Sequence, residues 1–398
     1  MFSSTWFYSS LWLLIIASIL GSAPLAAISM LILLTAGMAW LWNRASLQRV
    51  GYERTLSETR VSPGETVTLT VRVANRKALP LAWLEALDEF PARLPLLKGK
   101  AVKSINPLIA VLGHAMALRW YERLSWKYEV LAAARGYYAF GPVTFRSGDP
   151  FGFFESTAAQ SPVDHLIVYP RVVPLDRLGI PTRQPFGEVR SQERIFEDVS
   201  RTIGIRDWQQ GDDLHRIHWK ATARRQSLQV RIFEPTSTLN LAIFLNVATL
   251  PETWEGSDPE LLEEAIVVAA SLANYGLESR CQVGLYANTS LPESDQPIRI
   301  PPGRKPGQLT DILEALAKVT AFPIAPLEHI LAVEAGRLPW GSTVVVVSAI
   351  VPEGLLSGII RLRDAGHRIT LAALTDKVPT EALRGVQVFR PTIPPVKP

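Results

Sequence analysis

The chain has 398 residues, with 41 Lys plus Arg against 37 Asp plus Glu, a formal net charge of +4, and 47% hydrophobic side chains. That length predicts two or three units of roughly 150 residues each, and a charged content of only 20% is that of a globular body, not a disordered one. Binding to nucleic acid calls for basic residues gathered on one face, which so small a net charge does not support. Cys281 is the single cysteine, so no internal disulfide forms, and the soluble part is expected in a reducing compartment.

Residues 1–42 contain no charged side chain, and two apolar runs, 6–20 and 25–42, flank the turn Gly21-Ser22-Ala23-Pro24. One helix would overshoot a hydrocarbon core that needs about 20 residues, so a transmembrane helical hairpin over residues 1–43 is predicted. Trp6, Phe7 and Tyr8 at one end and Trp40 and Trp42 at the other suit the headgroup level. Arg44, Arg49 and Arg54 follow the second run, and the positive-inside bias then places the body in the cytoplasm. A cleaved signal peptide would need a basic leading region, which is missing.

Beyond the anchor, residues 65–73 alternate apolar and polar positions behind the turn Ser62-Pro63-Gly64, the pattern of a half-buried strand. Further strand-like runs at 124–131, 143–145 and 166–169 predict a small antiparallel, immunoglobulin-like β-sandwich over residues 50–170. From Leu239 the period changes. Apolar strands at 241–245, 281–286, 343–347 and 367–374 alternate with helical stretches at 260–275, 309–319 and 352–365, which predicts a doubly wound α/β domain over residues 237–390. The proline-punctuated run 301–307 reads as a solvated loop, and the Pro-rich tail 391–398 as an extended, poorly ordered end.

Residues 171–236 lie between these domains and hold the most unusual composition. Asp212 or Asp213 is expected to cap a helix on which Leu214, Ile217 and Ala221 face inward. Around them stand Arg206, Asp212, Asp213, Arg216, Lys220, Arg224 and Arg225, interleaved with Trp208 and Trp219, a set that suits an ionic network of bidentate and stacked arginines.

This segment resembles the signature of the DUF58 family, of the form GxRxYxxGDxxRxIxWxxxAR, matched here at Gly204, Arg206, Gly211, Asp212, Ile217, Trp219, Ala223 and Arg224. Trp208 stands where the family has Tyr and His215 where it has Arg, although Arg216 is adjacent. Arg135-Gly136-Tyr137, Gly141-Pro142 and Asp149-Pro150-Phe151-Gly152 resemble a second recurrent block. The resemblance implies a bacterial protein whose C-terminal domain is similar to von Willebrand factor A domains, which with the apolar hairpin gives the inner (plasma) membrane as the expected location. It also implies partnership with a MoxR-type AAA+ ATPase and with a transglutaminase-like membrane protein, and no known reaction or cofactor.

In A-type domains a divalent cation is held by an Asp-x-Ser-x-Ser run; here the corresponding residues are Asn246, Ala248 and Leu250, so no metal is expected. His215 and His218, with Asp212 and Asp213, offer a metal or acid/base alternative, but no further ligand cluster or nucleophile accompanies them. No phosphate loop, nucleophile elbow or zinc-protease motif occurs. The expectation is a non-enzymatic, membrane-anchored scaffold that binds protein partners, with Gly204, Arg206, Trp208, Gly211, Asp212, Asp213, Arg216, His218, Trp219, Lys220 and Arg224 as the interaction segment.

Overall fold

The computed structural model describes residues 5–160, 163–180, 197–209, 217–235, 240–251, 256–292, 294–339, 342–375, 378 and 383–394. The chain divides into two compact units, Met1–Arg171 and Val172–Pro398.

The first unit opens with α1 (Thr5–Ile19) and α2 (Ala23–Ser46). Gly21, at φ +61, turns the chain between them where a side chain would be strained. Pro24 sits in the first turn of α2, where its missing N–H costs nothing. Ala17 and Ser29 are buried, whereas Trp12, Ile19, Ile28, Leu31, Leu34, Met38 and Leu41 are exposed. The 24 residues of α2 measure about 36 Å and are long and apolar enough to cross a bilayer. At 15 residues, α1 spans only about 22 Å, in keeping with a first apolar run that is short for a full crossing.

Twelve strands follow: β1 (Val50–Leu56), β2 (Arg60–Val61), β3 (Thr66–Asn75), β4 (Leu81–Pro91), β5 (Leu96–Lys98), β6 (Val102–Lys103), β7 (Ile109–Leu118), β8 (Arg123–Leu131), β9 (Gly136–Phe140), β10 (Val143–Gly148), β11 (Glu155–Gln160) and β12 (Asp164–Val168). They form sheets ordered β1-β3-β8-β5, β11-β10-β4-β7-β6 and β2-β12-β9. The alternating pattern of β3 sends Val67, Leu69, Val71 and Val73 into one core with Leu84, Phe90, Leu112, Phe140 and Phe145.

Arg54 corrects the reading of it as a juxtamembrane charge. Its side chain is fully buried, paired to Asp88 and, at 3.0 Å, to Asp164. Its Nη1 also donates to the Phe140 carbonyl at 2.6 Å. Tyr52 donates to the same Asp88 carboxylate at 2.6 Å, and burial together with that negative charge pushes its phenol far above the ordinary range. Arg44 and Arg49 are left as the exposed basic flank of α2.

The second unit begins with a 3₁₀ turn, Leu175–Leu178, whose leucines enter the core against the α/β sheet; Val173 N–H donates to Ser271 Oγ at 2.9 Å. Next come β13 (Glu197–Asp207), α3 (Trp219–Arg225) and β14 (Gln229–Pro235). The remainder alternates β15 (Asn240–Leu245), α4 (Pro259–Glu278), β16 (Gln282–Ser290), β17 (Pro297–Gly303), α5 (Gln308–Lys318), α6 (Leu327–Ala335), β18 (Thr343–Ser348), α7 (Glu353–Asp364), β19 (Arg368–Ala373) and β20 (Gln387–Phe389).

These build a six-stranded sheet, β17-β16-β15-β18-β19-β20, parallel except for β17 at its edge. Successive residues of β15 alternate between two cores: Leu241, Ile243 and Leu245 pack with α4 and α5, and Ala242 and Phe244 with α6 and α7. Burial on both faces is why these strands are apolar throughout. Asp258 caps α4, accepting from Glu260 N–H at 2.9 Å.

Two sequence expectations change here. Pro301 and Pro302 lie in β17 and not in a loop, because an edge strand tolerates residues that cannot donate to a ladder. Thr392 N–H donates to the Leu178 carbonyl at 3.1 Å and Ile393 packs on the core, so the tail is tied down through residue 394. Residues 395–398 lie outside the described residues.

Candidate functional site

The signature segment folds as a hairpin of β13 and β14 carrying the short helix α3. Gln229 is its hub. Fully buried, it donates from Nε2 to Asp207 Oδ1 and, at 3.1 Å, to Ser227 Oγ; its backbone N–H donates to Thr222 Oγ1 at 3.0 Å and its carbonyl accepts from His218 N–H at 2.8 Å. A lone glutamine gave no signal in the sequence, yet it ties both strands to the helix.

Helix α3 starts later than expected. Ile217 is bridged to Val230 outside any helix, and His218, not an aspartate, is the cap: its Nδ1 accepts from Ala221 N–H at 3.1 Å. That bond fixes the tautomer with the proton on Nε2 and commits one ring nitrogen to the backbone, away from catalysis or metal.

Arg206 lies on β13 with its Nη1 donating to the Asp207 carbonyl at 3.1 Å, and Gly204 pairs with Ile232. Trp208 bonds Leu228 through its backbone at 2.8 Å, while its buried indole N–H has no partner among the described residues. Trp219 is 68% exposed, and Lys220, Arg224 and Arg225 are exposed beside it on α3. Gly211, Asp212, Asp213, His215 and Arg216 lie outside the described residues.

The second locus is the carboxyl edge of the six-stranded sheet, the end at which open α/β sheets bind ligands. Asn246 and Asn288, buried at the ends of β15 and β16, face one another. Asn288 Nδ2 donates to Asn246 Oδ1 at 2.9 Å, and the same oxygen accepts from Ala248 N–H at 3.1 Å. Asn246 Nδ2 donates to Ser348 Oγ at 2.9 Å, and Asn288 Oδ1 accepts from Val247 N–H at 2.8 Å. Neutral amides therefore bond one another and the backbone where an ion site would set anionic oxygens outward. Leu250 is only partly buried, and Thr249 Oγ1 accepts from Asp258 N–H at 2.7 Å.

On the same edge the loop after α5 is pinned to Asn288, whose carbonyl accepts from Ile324 N–H at 2.8 Å and whose amide donates to the Ala325 carbonyl at 3.2 Å. This loop lifts Phe322, 77% exposed, and Ile324, 45% exposed, into solvent. Sequence reasoning missed both, because a short run after a helix gives no periodicity to read. Nearby, β17 and α6 border a cleft of 450 Å³ in which buried Glu334 pairs with Arg299 at 3.0 Å and Arg337 at 2.9 Å. Among the described residues no group of three or more His, Cys, Asp or Glu side chains could hold a metal.

Comparison with known proteins places these features. Residues 204–381 match the model of DUF58, described as a protein of unknown function. "Uncharacterized protein YeaD" of Bacillus subtilis (strain 168) is 26% identical over 253 residues, 63% of this chain, and the match spans 58% of that relative. Among solved structures, the CARDB domain of the PF1109 protein from Pyrococcus furiosus covers 30% of this chain and 91% of its own, at 10% identity and TM-score 0.20. A cohesin module from Clostridium perfringens covers 30% and 96%, at 12% identity and TM-score 0.21. Likenesses that low carry no structural argument. The DUF58 family model matches the signature hairpin and the α/β sheet that follows it, less than half of the chain, and together with the YeaD relative it supports the DUF58 assignment.

Proposed function

We propose that this chain is a non-enzymatic scaffold of the bacterial inner membrane, anchored by α1 and α2. Its first body is an immunoglobulin-like β-sandwich and its second a von Willebrand factor A-like domain that docks protein partners. The observation that carries this reading is the carboxyl edge of the six-stranded sheet. Its polar core is closed by the Asn246, Asn288 and Ser348 hydrogen bonds, and the exposed apolar side chains Phe322 and Ile324 crown it. Such a surface offers a partner protein desolvatable area and offers a substrate no reactive group.

The anchor reading is supported by α2, an apolar helix with most of its surface uncovered. Exposed Arg44 and Arg49 at its end favour a cytoplasmic body. The exposed Trp219, Lys220, Arg224 and Arg225 of α3 form a second contact surface. The partner is a MoxR-type AAA+ ATPase, with a transglutaminase-like membrane protein as a further candidate.

The test uses detergent-solubilised full-length chain and the ATPase encoded in the same genome. Replacing Phe322 and Ile324 together by Ser should weaken binding about tenfold or more, as loss of apolar anchors at an interface centre does, with unchanged thermal unfolding. Undiminished binding by that folded variant rejects the edge as the docking site.

A further inference from the structure

We propose that the end of the first unit from which α2 emerges rests against the lipid bilayer, with Trp120, Tyr121, Phe151 and Phe153 at the headgroup boundary and Arg44, Arg49, Arg76 and Arg119 on anionic lipid phosphates. This deepens the anchor reading and depends on it.

The first argument is the lack of a linker. Lys77 Nζ donates to the Ser46 carbonyl at the end of α2 and to the Gln48 carbonyl at 2.8 Å. Arg76 N–H donates to the Arg49 carbonyl at 3.0 Å, and β1 begins at Val50. Arg44, at headgroup depth, is thus about 3 Å of helix rise from a residue clamped to the β strands.

Two aromatic turns share that end. Asn75 Nδ2 donates to the carbonyls of Leu79 and Arg119, both at 2.9 Å, and Tyr121 N–H donates to the Lys77 carbonyl at 3.2 Å. The β7–β8 turn is thereby bound to the loop that holds α2. Tyr121 is kept at φ +53, a conformation uncommon outside glycine, and it and Trp120 are 70% and 66% exposed.

The second turn, 149–154, is the Asp149-Pro150-Phe151-Gly152 block for which the docking edge has no use. Leu81 pairs with Leu118 and Ser147 with Leu84, so this turn leaves the five-stranded sheet at the end where the β7–β8 turn lies. Asp149 is fully buried and spends its carboxylate on the turn, accepting from Phe151 N–H at 2.8 Å and Phe154 N–H at 2.6 Å. The result is a rigid mount for Phe151, 58% exposed and stacked on Phe153 at 5.8 Å. The buried carboxylate thus fixes a turn that presents Phe151 and, in part, Phe153 at the surface.

Amphipathic and aromatic side chains gather at membrane interfaces, and basic residues near an anionic surface add electrostatic attraction. The opposite end of the unit also exposes apolar side chains, Leu97, Val102, Ile105 and Leu108. The ten residues of β7 separate the two ends by about 34 Å, so α2 can bring only one of them to the bilayer.

The experiment uses full-length protein reconstituted in vesicles of phosphatidylcholine with phosphatidylglycerol, in a Cys281→Ser background that removes the single native thiol. Nitroxide labels are placed by Leu31→Cys in α2, Tyr121→Cys, Phe153→Cys and, at the far end, Ile105→Cys. Labels at 121 and 153 should show a severalfold higher ratio of oxygen to nickel-chelate accessibility than the label at 105, and should lie deeper with phosphatidylglycerol than without it. Aqueous labels at 121 and 153 with a label at 31 in hydrocarbon overturn the proposal, leave the anchor standing and assign this face to a protein partner. An aqueous label at 31 overturns both, and equal depth in the two lipid mixtures overturns the role of the arginines.

Discussion

At Asn246 a single atom decides the chemistry of the sheet edge. A carboxylate there would only accept hydrogen bonds and would need a cation or donors around it; the amide also donates, which lets Asn246 and Asn288 satisfy each other and Ser348. The sequence showed the missing aspartate but not its partner Asn288, because residues 42 apart meet only when parallel strands align. His114 illustrates the same gap. Its Nε2 lies 2.6 Å from the Tyr128 hydroxyl, its ring rests 4.7 Å from Trp126, and burial lowers its pKa below the ordinary 6.5. The unfolded chain then binds more protons than the folded one as pH falls below 6.5, so this site contributes stability above that pH and loses it on acidification. His114→Gln should flatten the acid slope of unfolding by up to about 1.4 kcal/mol per pH unit, measured by denaturant unfolding of the detergent-solubilised chain across that range. An unchanged slope would show that His114 remains protonatable in the fold.

Among the elements, the four inner strands of the α/β sheet, β15, β16, β18 and β19, were readable, whereas its edges β17 and β20 were not. Buried on both faces, β15 and β18 must be apolar at every position, and few other elements look like Thr343–Ser348. The two longest strands of the five-stranded sheet were not. β4, LAWLEALDEFP, is built from helix-forming Leu, Ala and Glu, but its burial alternates because β10 and β7 flank it, and sheet context outweighs a propensity of a few tenths of a kcal/mol per residue. Helix α3 shows the opposite error: apolar spacing suggested a longer helix, whereas the bridge from Ile217 to Val230 holds the preceding residue in extended form and defers the start to His218. His218→Ala should cost this helix about 1 kcal/mol and His218→Asn much less. Hydrogen exchange at the Ala221 amide checks this, and equal protection in both variants would remove the capping role.

At the scale of the molecule, the uncharged leader carries the proposed anchor, and the structure shows where that leader ends. The apolar run stops near residue 42, but Ser46, buried and held by Lys77, belongs to both α2 and the β unit. With Arg54 taken into the core, the positive-inside argument rests on Arg44 and Arg49. A reporter fused after Pro398 should be active in its cytoplasmic form, and changing Arg44 and Arg49 together to Glu should lower that fraction; a reporter active only outside the membrane reverses the topology.

The sequence alone determined the properties that depend on runs and periods: an apolar leader, strands buried on two faces, the family signature, and the absence of a carboxylate at position 246. Tertiary structure decided what depends on residues far apart in the chain. It drew Arg54 to Asp88 and Asp164, paired Asn246 with Asn288, and held the Phe151 and Trp120 turns at one end of a sheet. Periodicity records only which face of an element avoids water, whereas a hydrogen bond between distant side chains exists only after strands have chosen their neighbours and register.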